Sequence, residues 1–520
     1  MGIPSYFVHI VKNHSNIIKK YSKGSINIHN LYLDSNSLIY DSLKLIEFKN
    51  KMDFEEKIIK SVCEKLNYYI NLINPSRKVL IAFDGVAPIA KLEQQRNRRY
   101  KTWYTKNQLS DDTIAMQEKK TWDTSAITPG TDFMEKLYRD VCKYFDNETK
   151  LDIMVSGANH FGEGEHKIFK YIRDNEEYHE DKNTVIYGLD ADLIMLTLIH
   201  TKISPNLYLF RETPEFISSI NSNLHVDEHY VMDIFELGEK INHEMTEISD
   251  KNCIRDYIFL CFLLGNDFMP HFPSINIRTN GIQILIDTYF DLFGNNKDKI
   301  VDNKKIYWIN LYKLIKKLAE NEEYNAIQDG KIRDKISKKF NNYYKFKNKE
   351  EELNARPLMD RTVEKYINIG DVGWQQRYYK ELFGIEIDER RKKQICINYL
   401  EGLDWNFKYY TKDCPDWEWK YNYKYPPLLN DLLNFIPYFD TDFVEFKKAN
   451  PVLPLVQLSY VLPRNSLDLL PKEVYEKLIV ECGHLYRLDY EIQWAYCKYF
   501  WESHIVLPEL DIKILKNLIN

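Results

Sequence analysis

Two aspartates, Asp190 and Asp192, interrupt the otherwise apolar stretch VIYGLDADLIML at residues 185–196. The apolar run predicts a buried strand, on which side chains two residues apart point to the same face. Two carboxylates about 5 Å apart would repel each other by about 3 kcal/mol at an effective dielectric constant of about 20. A shared proton, a pair of basic side chains or a metal ion could offset this repulsion, and the stretch alone leaves all three open.

Five further acids stand where predicted strands or helices begin or end: Asp34, Asp84, Glu163, Glu165 and Asp267. Any one of them alone could be a cap or turn residue, since acids are favoured at a helix start. Together, the seven carboxylates lie at ends that a doubly wound sheet brings to one edge, where they repel strongly without counter-charge. Carboxylate clusters without Cys or paired His favour Mg²⁺ or Mn²⁺ over Zn²⁺. Two such ions about 4 Å apart are typical of phosphoryl-group chemistry.

A basic segment, APIAKLEQQRNRRYKTWY, directly follows the strand-like run that ends at Asp84. A helix here would place four polar side chains within an arc of about 100°. They are Lys91, Gln95, Arg98 and Arg99. A basic run is most often a solvated face, but arginine forks beside a lysine and an amide also form a good receptor for a terminal phosphate.

The elements that must position these residues alternate from residue 26 to about 290. The strand-like runs INIHNLYLD, KVLIAFDG, LDIMVSG, TVIYGLDADLIML and NLYLF are separated by longer helix-like segments. This order predicts an α/β fold with a parallel sheet and helices on both faces, whose functional edge is the carboxyl ends of the strands. We predict a catalytic region at 1–295, a charged connector at 296–355, and a mostly α-helical region at 356–520 that packs on the first.

The composition is that of a globular protein: of 520 residues, 44% are hydrophobic and 28% charged, with a net charge of −6. The negative charge argues against whole-surface attraction to nucleic acid, so any such binding must be local. The eight cysteines are scattered without a CxxC pair, which indicates neither a structural zinc site nor a disulfide framework. No apolar run approaches the ~18 residues of a membrane span, and a signal sequence is not evident. We expect a cytoplasmic protein, with the nucleus and the virion left open.

Successive stretches of the chain resemble the signature blocks of the XRN family of 5′-to-3′ exoribonucleases, which are related in fold to flap endonucleases and other PIN-like nucleases. In the first half they are MGIPSYF, NLYLDSNSLIYD, IAFDGVAPIAKLEQQRNRRY, ITPGTDFM, GEGEHKIFKYIR, YGLDADLIML and FLCFLLGNDFMPHFPS. In the second half they are GWQQRYYKELF, YLEGLDWNFKYYTKDCPDWEWKYNYKYPP, PLVQLSYVLPRNSLDLLP and WESHIVLPELD. The resemblance covers almost the whole chain and implies a Rossmann-like PIN or flap-nuclease sheet.

The resemblance also implies roles for individual residues. The seven acids would be catalytic and would bind metal, with two Mg²⁺ per site and Mn²⁺ as the alternative. Lys91, Gln95, Arg98 and Arg99 would form a pocket for a 5′-monophosphate that excludes capped and triphosphate ends by size. The terminal base would stack between Tyr40, where the family has histidine, and a tryptophan, Trp417 or Trp419. A second departure is Lys424, where relatives commonly have histidine.

By this resemblance we expect a processive 5′-to-3′ exoribonuclease that degrades single-stranded RNA with a 5′-monophosphate to nucleoside 5′-monophosphates. The expected partner is that RNA, with a functional link to a decapping enzyme and no membrane, and the protein is expected to be a monomer. The length suggests a minimal, core-only member of the family, and the Lys, Asn, Ile and Tyr bias suggests an AT-rich genome such as that of a large DNA virus. Two alternatives stay open: a structure-specific 5′ flap endonuclease, and a catalytically inactive RNA-binding scaffold.

Overall fold

A central sheet organises the computed structural model, which describes residues 2–109, 122–226, 228–448 and 451–519. The strand order is β1-β7-β6-β5-β2-β3-β4. Neighbouring strands from β6 to β4 run parallel, and β7 and β1 continue the sheet antiparallel. The bounds are β1 Ile18–Lys20, β2 Asn30–Asp34, β3 Lys78–Ala82, β4 Asp152–Ser156, β5 Thr184–Tyr187, β6 Leu207–Arg211 and β7 Tyr230–Asp233, with a separate antiparallel ribbon of β8 Glu491–Gln493 and β9 His504–Val506.

Helices surround the sheet and form most of the second half of the chain. Those before residue 300 are α1 Tyr6–Asn13, α2 Asn36–Leu43, α3 Lys51–Ile73, α4 Ile89–Leu109, α5 Asp132–Phe145, α6 Gly164–Asp174, α7 Glu176–His179, α8 Asp192–His200, α9 Ile234–Met245, α10 Ile254–Phe262 and α11 Gly281–Phe293. Those after it are α12 Trp308–Ala319, α13 Glu322–Asn342, α14 Lys349–Met359, α15 Thr362–Ile367, α16 Trp374–Phe383, α17 Glu389–Thr411, α18 Leu429–Leu433, α19 Pro454–Val461, α20 Lys472–Cys482 and α21 Ile512–Ile519.

Both faces of the sheet are covered because alternate residues of each strand point to opposite sides. On β2, Leu31 and Leu33 pack in a core with α3 and α5, whereas Tyr32 packs in a second core with α6, α8 and α10. All three side chains are fully buried. The predicted α/β class, with a mostly parallel sheet, helices on both faces and a mostly α-helical second half, is confirmed.

The stretch 296–355, predicted to be a charged connector, contains α12, α13 and the start of α14. Helix α12 buries Trp308, Leu311 and Leu314 in the same core as the sheet and α17, so this stretch contributes to the fold as well as linking its halves. Its lysines lie mainly on exposed helix faces. The three predicted domain limits stay a prediction.

The prediction that Asp190 and Asp192 lie on one strand is wrong. Strand β5 ends at Tyr187, Asp190 lies in the connecting loop, and Asp192 is the first residue of α8. A Cβ at Gly188 would lie 2.1 Å from Leu193 Cδ1, so the glycine permits the tight passage from strand to helix. A short apolar run such as LIML fits a buried helix as well as a strand, and an acid at its first position is favoured by the helix dipole.

Candidate active site

The carboxyl ends of three adjacent parallel strands bring the predicted acids together. Asp34 is the last residue of β2, Asp84 follows β3 by two residues, and the loop after β5 carries Asp190 and leads to Asp192. Since β2 lies between β3 and β5, these ends share one edge of the sheet. Asn36 fixes the Asp84 side chain by donating from Nδ2 to Oδ2 at 2.5 Å.

The start of helix α6 adds two further carboxylates to this edge. Glu163 is the N-cap of α6, Glu165 lies in its first turn, and the Gly164 amide donates to Asp84 Oδ1 at 2.8 Å. A Cβ at Gly164 would lie 2.5 Å from Asp34 Oδ1, so only glycine lets the helix start approach β2 this closely. The GEGE sequence therefore combines two acids with the close approach that brings them to the site.

Asp267 and Lys91 close the cluster from the opposite side. Helix α10 ends at Phe262, and the chain turns through Gly265, where φ is +79°, to place Asp267. The Lys91 ammonium lies 2.5 Å from Glu163 Oε2 and 2.8 Å from Asp267 Oδ2. Burial acts to raise the pKa of Asp267, but neighbouring positive charges, of which Lys91 is the largest, together outweigh it and the pKa falls to about 2. Lys91, predicted to contact phosphate, here contacts the acids.

Three of the other acids are buried beside carboxylates that repel them. Burial, reinforced by neighbouring carboxylates, raises the pKa of Asp34 and of Glu165 well above the ordinary range and raises that of Asp192 to about 7. One buried oxygen of each has no hydrogen-bond partner in the described part of the chain: Asp34 Oδ1, Glu165 Oε2 and Asp192 Oδ1. Buried carboxylate oxygens without partners are costly unless a cation binds them. The residues present therefore fit hard divalent cations such as Mg²⁺ or Mn²⁺.

The raised pKa of Asp192 predicts a pH-dependent stability in metal-free buffer. Because the folded pKa of about 7 exceeds the unfolded value of about 3.9, folding favours the protonated form, so stability falls as pH rises from about 4 through about 7. Asp192→Asn removes this loss and is expected to raise the midpoint of thermal unfolding in EDTA, more at pH 8 than at pH 5. Scanning calorimetry at both pH values measures the difference in thermal midpoint between the variant and the wild type. A difference that is equal at the two pH values, or larger at pH 5, contradicts the raised pKa of Asp192.

Two aromatic residues that the sequence did not single out complete the cluster. Tyr409 of α17 donates to Glu163 Oε1 at 2.8 Å and stacks on the His166 ring at 3.8 Å between centroids. His166 Nε2 lies 4.0 Å from Glu165 Oε1, and ligand atoms of Glu163, Glu165 and His166 lie within 4.8 Å of one another. The position of His166 directly after Glu165 in GEGEH is a signal in the sequence for a further candidate metal ligand. Nothing in the sequence pointed to Tyr409, which is 246 positions from its partner.

Loss of the Tyr409 hydroxyl is expected to weaken metal binding. Groups that orient a metal ligand typically contribute 10- to 100-fold in affinity, so Tyr409→Phe should raise the Mn²⁺ concentration that half-saturates the protein by about 10-fold. Isothermal titration calorimetry with Mn²⁺ measures this change. The matched control is Tyr399→Phe on the same helix, whose buried hydroxyl makes a long contact of 3.4 Å with Pro270 O. Equal affinities for the two variants would show that the Tyr409 contact is structural only.

The predicted phosphate face lies on α4, beside the acids. Gln95 is buried, and its Oε1 has no hydrogen-bond partner among the described residues; the same holds for Nε and Nη1 of Arg99. Burial lowers the pKa of Arg99 to about 10, and Tyr40 on α2 lies near enough to act in the opposite direction. Arg98 is exposed at the border of this face. A buried guanidinium with free donors is suited to bind an anion.

The two candidate stacking tryptophans have different surroundings. Trp419 is 8% exposed and stacks on Trp405 at 5.2 Å between centroids, within the core around α17. Trp417 is half-buried, and its carbonyl accepts a hydrogen bond of 2.9 Å from the Ile89 amide at the start of α4. Tyr40 is 36% exposed on α2. The structure favours Trp417 as the partner of Tyr40, and both assignments stay predictions.

Comparison with known families identifies the family of this chain. Residues 1–213 match the model of the XRN 5′-3′ exonuclease N-terminus, and residues 247–365 and 337–519 match that of the Xrn1 helical domain. The chain belongs to the XRN 5′-3′ exonuclease family. No helix of the described ranges is long and apolar enough to cross a membrane.

Individual relatives are similar along most of this chain. The 5′-3′ exoribonuclease 2 of Arabidopsis thaliana is 26% identical over 94% of this chain and 62% of its own length. The 5′-3′ exoribonuclease 1 of Saccharomyces cerevisiae is 26% identical over 91% of this chain and 40% of its own. The human 5′-3′ exoribonuclease 1 is 28% identical over 99% of this chain and 34% of its own length. The chain therefore spans between a third and two thirds of the length of these relatives.

Proposed function

We propose that this protein is a divalent-metal-dependent 5′-to-3′ exoribonuclease that removes nucleoside 5′-monophosphates one at a time from 5′-monophosphorylated single-stranded RNA. One observation carries the proposal: among the described residues, oxygens of three cluster carboxylates and two nitrogens of Arg99 are buried without partners, and α4, which carries Arg99, also carries Lys91, which contacts the acids. The first set attracts cations and the second attracts an anion. A phosphodiester near a terminal phosphate satisfies both.

The residues of this chain would share the work in the following way. Arg99 and Gln95 bind the terminal phosphate, and Arg98 contributes from the rim. Tyr40 and Trp417 hold the first base by stacking, which fixes the distance from the chain end to the scissile bond. The seven carboxylates would hold two Mg²⁺ or Mn²⁺ ions, which when bound supply an activated water and stabilise the leaving oxygen.

Tyr409 and Lys91 keep the Glu163 carboxylate in place through its two oxygens. The amide of Gly164 and the side chain of Asn36 do the same for Asp84. Such fixed orientations reduce the reorganisation required when charge develops at the scissile phosphate. Lys91 lies on the same helix as the phosphate face and directs its charge at the acids.

The proposal extends to the biological setting. A phosphate face on a half-buried helix suits a 5′-monophosphate, the end that a decapping enzyme leaves, so we place the protein after decapping in mRNA decay. Stacking of each new terminal base would favour processive degradation. We further propose a monomer acting in the cytoplasm.

The products of hydrolysis test this function. A 5′-monophosphorylated single-stranded RNA incubated with the protein and Mg²⁺ is expected to yield only nucleoside 5′-monophosphates by chromatography, and EDTA is expected to stop the reaction. A flapped DNA duplex of matched sequence is expected to stay intact. Oligonucleotide products from the flap would instead indicate an endonuclease, and tight RNA binding without any product would indicate an inactive scaffold.

A further inference from the structure

A cavity of about 450 Å³ lies on the side of α4 next to the phosphate face. On that helix Glu93, Asn97 and Lys101 repeat every four residues and line the cavity, while Arg98 lies between the two faces. The volume is within the range of about 300–1,000 Å³ that is typical of small-molecule sites. Asp267 also lines the cavity, which therefore adjoins the acidic cluster.

More cationic than anionic side chains line the cavity wall. Lys101 donates to Trp501 O at 2.6 Å and to Ser503 O at 2.8 Å, and Lys424 donates to Ile505 O. In the described part of the chain neither ammonium forms an ion pair. An ammonium has three donors, so each retains at least one that is unused.

The two ammonium groups also disfavour each other. Burial lowers the pKa of Lys101 and of Lys424 to about 8 each; the nearby carboxylates act in the opposite direction, and the charge of Lys101 adds to the lowering at Lys424. The acids of the wall already have other cationic partners: Asp267 has Lys91, Glu502 has Arg278, and Glu93 has Lys420 at 4.0 Å. A bound anion would offset the unpaired charge at little further cost, because both ammonium groups are already partly desolvated.

Polar and aromatic side chains in the same wall suit a nucleoside attached to that anion. Ser503 is 2% exposed, and its hydroxyl has no hydrogen-bond partner among the described residues; the Tyr496 hydroxyl and Gln94 Oε1 are likewise without partners. Tyr423 and Trp501 add aromatic surface to the lining. Cations combined with aromatic rings and unused hydrogen-bonding groups are the usual composition of a nucleotide site.

We propose that this cavity, the product chamber, binds a nucleoside 5′-monophosphate, with its phosphate between Lys101 and Lys424 and its base against the aromatic wall. The proposal rests on the proposed function, because hydrolysis would release this nucleotide at the shared border formed by Arg98 and Asp267. RNA would then approach from the side of Tyr40 while the product leaves the phosphate face through the chamber. The sequence feature that the proposed function left unused, Lys424, supplies one of its two cations.

Calorimetric titration with AMP in EDTA tests the chamber without any hydrolysis. To remove binding at the phosphate face, the titrations use full-length protein carrying Arg99→Met. We expect AMP to bind this variant and expect the addition of Lys424→Met to weaken the affinity by about 10-fold or more, the scale of a charge-assisted hydrogen bond. The addition of Ser503→Ala should weaken it severalfold. The matched control, Lys331→Met at an exposed lysine of α13, should leave it unchanged.

Several results would overturn the chamber. The first two are a lack of AMP binding to the Arg99→Met protein and an AMP affinity that neither Lys424→Met nor Ser503→Ala changes. The other two are inorganic phosphate that binds as tightly as AMP and a dinucleotide with a 5′-hydroxyl that binds more tightly than AMP. The last two would assign the site to a free anion or to the RNA chain. RNA hydrolysis by the wild-type protein is measured separately, so active protein without AMP binding refutes the chamber alone, and AMP binding without hydrolysis refutes the proposed function alone.

Discussion

Replacement of Asp192 by asparagine is expected to lower the rate of RNA hydrolysis in Mg²⁺ by about 1,000-fold, which corresponds to about 4 kcal/mol of transition-state stabilisation. The substitution preserves the shape of the side chain but removes a negative charge from a cluster in which Asp192 Oδ1 has no protein partner among the described residues. Fewer charges hold the metal ions less tightly, and the scissile phosphate loses their electrostatic support. Single-turnover kinetics on 5′-monophosphorylated RNA measures the effect.

The control for this variant is Asp174→Asn at the exposed end of α6, where the carboxylate pairs with the surface residue Lys170. It removes the same charge from the same region and is expected to change the rate less than twofold. The thermal midpoint of Asp192→Asn should be no lower than that of the wild type in EDTA, which separates lost chemistry from lost folding. A wild-type rate for Asp192→Asn would refute the metal site.

Replacement of Arg99 by methionine is expected to remove the preference for a 5′-monophosphate. Two buried nitrogen donors of Arg99 have no partner in the part of the chain that the structure describes, so its charge is available to the terminal phosphate. We expect kcat/KM on 5′-monophosphorylated RNA to fall by about 100-fold, about 3 kcal/mol, while the slow reaction of 5′-hydroxyl RNA stays unchanged. Parallel rate measurements give the ratio of kcat/KM on 5′-monophosphorylated RNA to that on 5′-hydroxyl RNA.

The matched control is Arg139→Met, which removes an exposed arginine of α5. This control variant should keep the wild-type ratio of kcat/KM between the two RNAs. Burial of the two Arg99 nitrogens without a partner among the described residues is unfavourable for folding. Replacement of Arg99 by methionine should therefore not lower the midpoint of thermal unfolding. An equal fall of kcat/KM on both RNAs would mean that Arg99 supports the fold or the chemistry and does not select the 5′ end.

The sheet could be predicted from the sequence because its strands are apolar runs separated by amphipathic helices, and this pattern is local. The acids could be predicted as one site for a related reason: parallel strands place their carboxyl ends at one edge whatever the details of packing. The misplacement of Asp190 and Asp192 on a strand shows the limit of such patterns. In LIML every side chain is buried, and a uniformly apolar run has no period that separates strand from helix.

Contacts between distant segments could not be predicted. The position of the Lys91 ammonium depends on the turn at Gly265 that places Asp267, and the Tyr409 contact to Glu163 depends on the packing of α17 against α6. Helix periodicity predicted that Lys91 and Arg99 share a helix, as α4 shows, but gave no information on which segments that helix contacts. The choice between Trp417 and Trp419 likewise depends on Trp405, which stacks on the second and leaves the first beside α4.

The central claim is that a metal-binding acid cluster and a selective phosphate face act together on the 5′ end of RNA. Its most direct test is the incubation of three RNAs of one sequence, with 5′-monophosphate, 5′-triphosphate and 5′-hydroxyl ends, with the protein and Mg²⁺. We expect rapid shortening of the monophosphate RNA alone, with release of nucleoside 5′-monophosphates. Equal degradation of all three RNAs, or of none, would contradict the account.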